Sequence, residues 1–367
     1  MIKIDLIVGA RPNFMKIAPI IHAIEKANKP VQLIQYRLIH TGQHYDANMS
    51  ETFFQQLEIP KPAFNLNVGS GTQAEQTAGI MIGYEKLLLE EKSDLCLVVG
   101  DVTSTMACAI AARKLLVPVA HVEGGIRSGD ETMPEEINRM VTDSITNYFF
   151  TTSEVANENL RKSGVKVENI FFVGNTMIDT LLKNMPRFAK PDIWDELNLK
   201  EKEYIVLTLH RPANVDEEAK LKDLIDEIIA HSHNLPLIFP VHPRTAKIIA
   251  GLGITHPRLH MIEPMGYLEF NYLVVRCKAV ITDSGGITEE ATVMGVPCMT
   301  LRENTERPET ITMGTNELLG VNPKAIKPAM EKLFSGNWKK GSIPEMWDGK
   351  TGERIGKVLC ENLSTFQ

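Results

Sequence analysis

Ala279-Val280-Ile281-Thr282-Asp283-Ser284-Gly285-Gly286-Ile287-Thr288-Glu289-Glu290 is the stretch from which the rest of the chain is best read. Its first four residues are an apolar, β-branched run, and the remainder opens a helical pattern that closes at Gly295 and Pro297. A strand that runs into two glycines and then a helix leaves several backbone N–H groups unpaired at the positive end of the helix dipole, with no side chain to block approach. The pattern predicts a phosphate seat at Ser284, Gly285 and Gly286. Glu290, two turns into the helix, is then placed to accept hydrogen bonds from a sugar hydroxyl. The plainer reading of the same residues is a Ser-capped helix behind a tight turn.

Outward from this unit, short apolar runs alternate with longer helical patterns, the signature of parallel α/β units. Strands are expected at 2–8, 33–40, 95–99, 117–122, 148–151 and 170–173, then at 204–209, 236–241, 259–262, 279–282 and 298–301. Their near-continuous apolar character predicts sheets covered on both faces. The Pro-, Lys- and acid-rich segment 186–202 reads as the crossing between two Rossmann-like domains, 1–185 and 186–349. A chain of 367 residues, 43% hydrophobic and 23% charged, has the length and composition for two such cores.

The net charge of −7 and the lack of any Lys/Arg run exclude a nucleic-acid surface. The five cysteines include no Cys-x-x-Cys pair, and Cys96, Cys277 and Cys298 sit in apolar runs, so buried free thiols are expected. The N-terminus reads as a first strand, and no apolar run approaches the ~20 residues of a membrane helix, so a cytoplasmic protein that makes no membrane contact is expected. Gly69-Ser70-Gly71-Thr72-Gln73-Ala74 matches a dinucleotide fingerprint but comes after a poor central strand and is not the first strand-to-helix turn.

Polar residues gather where strands end, which is where open parallel sheets bind ligands. The first strand gives way to Gly9-Ala10-Arg11-Pro12-Asn13-Phe14-Met15-Lys16, whose Arg11 suits a diphosphate by its bidentate fork. Asp101 closes the third strand, Glu123 the fourth, and Pro134-Glu135-Glu136 starts a helix. From the second half come His210-Arg211 and His242-Pro243-Arg244, each directly after a strand. Acids from one half and histidines from the other point to acid/base chemistry in a cleft between the domains.

These blocks, taken in order with Gly174-Asn175-Thr176 and Thr305-Glu306-Arg307-Pro308-Glu309, resemble the UDP-N-acetylglucosamine 2-epimerases, most closely the non-hydrolysing branch. The resemblance implies a GT-B arrangement of two Rossmann-like domains, a homodimer, and a C-terminal helix at about 350–367 that returns to the N-terminal domain. It implies interconversion of UDP-GlcNAc and UDP-ManNAc for cell-surface polysaccharide biosynthesis, by elimination and re-addition of UDP through 2-acetamidoglucal, with no cofactor and no metal. Under it Asp101, Glu123, Glu135 and His210 match the acid/base and supporting positions. Arg11, Ser284, Gly285 and Gly286 would hold the diphosphate, Glu290 the ribose and Phe270 the uracil, with Lys16, Arg139, His242 and Arg307 around them. Gln43 matches the region where some members bind a second UDP-GlcNAc as an activator. Asn13 and Pro212-Ala213 depart from the common form, which has Glu and Arg-Glu there. A modified UDP sugar, such as a 2,3-diacetamido uronic acid, fits the same blocks, and a GT-B glycosyltransferase shares the layout and the phosphate seat.

Overall fold

The computed structural model describes residues 1–42, 51–241 and 243–362, the side chains of 51–53, 212, 213, 243 and 244 excepted. The chain forms two compact units, one of residues 1–180 with the C-terminal stretch from Glu345, the other Leu181–Pro344.

Seven strands make the first sheet: β1 (Ile2–Val8), β2 (Ile34–His40), β3 (Phe64–Asn65), β4 (Leu95–Val99), β5 (Val119–Val122), β6 (Tyr148–Thr151) and β7 (Ile170–Phe172). Their order is β3-β2-β1-β4-β5-β6-β7, and all pairs are parallel. Six more make the second: β8 (Ile205–Thr208), β9 (Leu237–Pro240), β10 (Leu259–Ile262), β11 (Ala279–Thr282), β12 (Cys298–Thr300) and β13 (Asn316–Leu318). Their order is β10-β9-β8-β11-β12-β13, again parallel. In each sheet the strand order reverses once, between β1 and β4 and between β8 and β11. Strand-to-helix turns diverge at such a point and leave a crevice at the carboxyl ends of the strands.

The expected strands are present with slightly trimmed ends, and two more lie at sheet edges. β3 falls in the stretch read as a poor central strand and is a two-residue edge strand. The fingerprint-like glycines behind it lead into a capping box: Thr72 accepts the Glu75 N–H at 3.3 Å, and Glu75 accepts the Thr72 N–H at 2.8 Å. All five cysteines are free thiols, four of them buried.

The first sheet carries a buried charge pair between its first two strands. Asp5 on β1 lies in register with Arg37 on β2, which it binds through two N–H groups at 2.6 and 2.9 Å, and it accepts the Tyr84 hydroxyl at 2.9 Å. A charge inside a buried strand persists only when its lone pairs are met this fully. The C-terminal helix Thr351–Glu361 packs on helix Arg11–Ala27 of the same unit, and glycine permits the close approach. A Cβ on Gly352 would fall 2.4 Å from the Pro19 carbonyl oxygen, and one on Gly356 3.0 Å from the Ala23 Cβ. Asp179 caps that helix from outside, accepting the Thr351 and Gly352 N–H groups at 3.1 and 2.7 Å.

Candidate active site

In the first unit, the reversal between β1 and β4 is closed by Asn13. Its Oδ1 accepts the Gly9 and Ala10 N–H groups at 3.1 and 2.9 Å, while its Nδ2 donates to the Val99 carbonyl at 3.2 Å. A glutamate there could take the first two bonds but could not donate the third. Asn13 therefore ties the Arg11 turn to the end of β4, and Arg11 and Pro12 begin the helix there.

One turn on, the Lys16 Nζ lies 2.9 Å from the Glu123 carboxylate. It also lies 3.2 Å from where a Cβ on Gly100 would sit, and Gly100 has φ +70°. Only glycine gives that turn without strain while letting the ammonium close. Glu123 takes the same left-handed region, φ 73°, at a cost of roughly 1–2 kcal/mol for a residue with a Cβ. Its N–H donates to the Phe150 carbonyl at 2.8 Å, which fixes the turn. Backbone strain held in place by its surroundings gathers at functional positions.

Asp101 could have been the N-cap of helix Thr103–Lys114, but Val102 is, with no side-chain capping bond. The Asp101 carboxylate instead accepts Arg139 Nε and Nη2 at 3.1 and 2.5 Å. Arg139 also reaches Glu136 at 2.6 Å. Glu136 is buried and accepts the Ser128 and Gly129 N–H groups at 2.9 and 3.0 Å. Burial alone would raise its carboxyl, yet these bonds and Arg139 hold it below the usual range. Its neighbour Glu135 is half-buried in the first turn of helix Pro134–Ile145, with no side-chain partner among the described residues. Beneath them, His121 bridges Asp143 at 2.7 Å and the Gly100 carbonyl at 2.8 Å, pinning the Gly100-Asp101 corner to β5.

In the second unit, β8 and β11 flank the reversal. Asp283 is fully buried there and accepts the N–H groups of His210 and Arg211 at 3.0 and 2.9 Å and Asn214 Nδ2 at 3.1 Å. It also lies 2.7 Å from His210 Nδ1, and the His210 ring itself is exposed. Burial pushes the Asp283 carboxyl up, but the His210 contact and the N–H groups bring it below the usual range. Helix Gly285–Val293 starts at Ser284, whose hydroxyl makes no capping bond. The plainer reading of Ser284 as a side-chain cap is thereby removed.

Gly286 has nothing within 4 Å of the point a Cβ would occupy, so the helix start is open on that side. At Gly285 the same point lies 2.8 Å from Glu306 Oε1, which the sequence did not suggest. Glu290 is buried and accepts the Tyr267 hydroxyl at 2.7 Å; burial pushes its carboxyl up to about 7. Phe270, on helix Tyr267–Arg276, is half-buried against the apolar cluster around Val280 and Cys298. Arg307 forms a buried ion pair with Glu289. Glu309 is buried with no hydrogen bond to either carboxyl oxygen among the described residues, and burial pushes it up to about 7.

Gln43 and His242 lie outside the described residues. Sequence reasoning does not reach Asn13, Glu136, His121, Asp143, Tyr267, Arg302 and Glu306 as site residues. It misses Asp283 as well, although that residue carries a sequence signal: an acid closing a strand beside the glycine pair.

Two doubly wound parallel sheets, each with polar side chains collected at its single reversal, define an α/β protein of two Rossmann-like domains, the GT-B class. The chain belongs to the UDP-N-acetylglucosamine 2-epimerase family, whose sequence profile it matches over residues 26–360, and is therefore an isomerase. It is 42% identical to the UDP-N-acetylglucosamine 2-epimerase of Methanocaldococcus jannaschii, over 97% of this chain and 98% of that one. It is 41% identical to the UDP-2,3-diacetamido-2,3-dideoxy-D-glucuronate 2-epimerase of Pseudomonas aeruginosa, over 98% and 99%. The M. jannaschii enzyme solved with UDP-GlcNAc and UDP superposes with a TM-score of 0.86, covering 98% of this chain and 99% of that one. The Neisseria meningitidis enzyme bound to UDP-GlcNAc gives 0.87 at 28% identity, covering 98% and 100%. No helix among the described residues is long and apolar enough to cross a membrane.

Proposed function

We propose that the protein interconverts UDP-N-acetylglucosamine and UDP-N-acetylmannosamine without releasing free sugar. A base takes the proton from carbon 2, the bond between carbon 1 and the diphosphate oxygen breaks with its electron pair leaving on UDP, and a carbon 1–carbon 2 double bond forms. Protonation of carbon 2 from the opposite face, with UDP adding back to carbon 1, gives the epimer. This chemistry asks for carboxylates of different environment and for a held leaving group. The observation that carries the reading is the pairing of chemistry with topology. The reversal of the first sheet collects Asp101, Glu123, Lys16 and Arg139, and that of the second collects the open helix start at Ser284, Gly285 and Gly286 beside the His210–Asp283 pair. Glu290 with Tyr267 is assigned to the ribose and Phe270 to the uracil.

Proton NMR of UDP-N-acetylglucosamine with the protein in deuterated water tests this. The expected result is deuterium entering at carbon 2 and approach to a mixture of the two UDP sugars, with little free UDP. Free UDP and free amino sugar accumulating in equal amounts from the start would place the protein in a hydrolysing branch. A second reading, epimerisation of a UDP-2,3-diacetamido uronic acid, is favoured by the nearly equal identity to the P. aeruginosa enzyme, 41% against 42%. Turnover of that sugar alone would establish it.

A further inference from the structure

Arg302 stands two residues past the end of β12 and is 4% exposed. Its Nη2 donates to Glu306 Oε2 at 2.5 Å, while Nε and Nη1 have no hydrogen-bond partner among the described residues. Buried guanidinium N–H groups without acceptors are costly, so a second acceptor is expected beside them. Nη1 lies 3.6 Å from the point a Cβ on Gly285 would occupy, and Glu306 Oε1 lies 2.8 Å from the same point. A carboxylate and a half-satisfied guanidinium therefore meet at the first residue of helix Gly285–Val293, where the helix dipole favours an anion.

We infer that the Glu306 carboxylate and the diphosphate of a UDP-sugar are alternative occupants of one seat, with Arg302 their shared counter-ion. The inference rests on the proposed function and deepens it. A carboxylate on Nη2 leaves two guanidinium edges unmet, whereas a diphosphate has oxygens enough to meet them in the bidentate manner guanidinium favours. The two anions repel at this distance, so the diphosphate takes the seat as Glu306 leaves it. Glu306 lies in the irregular segment between β12 and helix Pro308–Thr312, so its withdrawal breaks no helix or strand ladder. Gly285 is required because a side chain would strike Glu306 in one state and the diphosphate in the other.

Calorimetric titration with UDP, repeated with inorganic pyrophosphate, tests the exchange on the unaltered protein and on Glu306→Gln and Arg302→Lys. Glutamine keeps the shape and an acceptor for Arg302 but not the competing charge. Glu306→Gln is expected to bind both ligands roughly tenfold more tightly, the scale of removing one like charge beside a buried anion. Arg302→Lys is expected to bind both at least about tenfold more weakly, since a point charge cannot replace the planar fork. Unchanged or weaker UDP binding by a folded Glu306→Gln protein, with the unaltered protein still binding UDP, would overturn this inference and leave the proposed function standing. No UDP binding by the unaltered protein would overturn both.

Discussion

Asp283 accepts the backbone N–H of His210 and lies 2.7 Å from the Nδ1 of the same residue, so one buried carboxylate fixes both the main chain and the ring of one histidine. The Asp283–His210 contact leaves the other ring nitrogen for solvent or substrate. Asp283→Asn is expected to lower kcat at least about 100-fold by releasing the ring, with UDP affinity nearly kept. The stability effect has a definite sign. Burial raises the Asp283 carboxyl, but His210 and the N–H groups hold it below the ordinary value. Its contribution is therefore present above the ordinary Asp value, about 3.9, and is lost as pH falls through the depressed folded value. Urea unfolding from pH 6 down to 3 should show the gap between the two proteins closing in acid. A gap that stays constant would mean Asp283 is not held ionised by these partners.

Glu290 and Glu309 behave in the opposite sense, since burial pushes each carboxyl up to about 7. A raised folded value means stability fully present below the ordinary glutamate value and lost as pH rises through about 7. Their contribution to the melting temperature should therefore decline between about pH 4.5 and 7 and level off above about pH 8. Glu309→Gln should flatten part of that decline, and its advantage over the unaltered protein should grow with pH. Parallel melting curves for the two proteins across this range would remove Glu309 as a source.

Gly286 gives a cleaner probe of the helix start than Gly285, whose Cβ would first meet Glu306. The added methyl of Gly286→Ala meets nothing within 4 Å, so the fold should tolerate it, with up to ~1 kcal/mol gained from the better helix former. UDP affinity should fall at least about tenfold, because the methyl enters the approach to the helix N–H groups. A stable Gly286→Ala protein with unchanged UDP affinity would move the diphosphate away from this helix.

What the sequence disclosed and what it hid divide along a physical line. The strands of five to seven residues, Ile2–Val8 and Leu95–Val99 among them, announce themselves as apolar runs, and the acids and histidines at strand ends take their meaning from that position. Phe64–Asn65 and Asn316–Leu318 carry Asn and Glu in place of an apolar run, so no pattern marks them, and they are held by the neighbouring strand that offers its edge. Arg302 and Glu306 were hidden for a different reason. Arg302 matters because Gly285, on the neighbouring strand-to-helix turn, lacks a Cβ, and no local spacing encodes that approach. Likewise Asn13 reads as a departure in a glutamate position, and only its bond to the Val99 carbonyl gives the amide a purpose.

Glu135 and Glu136 are neighbours in sequence with separable duties. Glu136 is buried, accepts two backbone N–H groups from 128–129 and binds Arg139, which in turn holds Asp101. Glu135 is half-buried and carries no such bonds. Glu136→Gln replaces an acceptor-only group with an amide whose NH2 faces donors, so it should destabilise the protein by about 1–3 kcal/mol and lower the melting temperature. Glu135→Gln should leave the melting temperature within about a degree. It should cut turnover and carbon 2 deuterium exchange at least about 100-fold, as loss of a positioned acid/base group does, and Asp101→Asn should do the same. Thermal melting and exchange measured on the same three preparations decide the matter. Near-normal exchange in Glu135→Gln would take the proton-transfer role away from Glu135 and leave Asp101 and Glu123 to carry it.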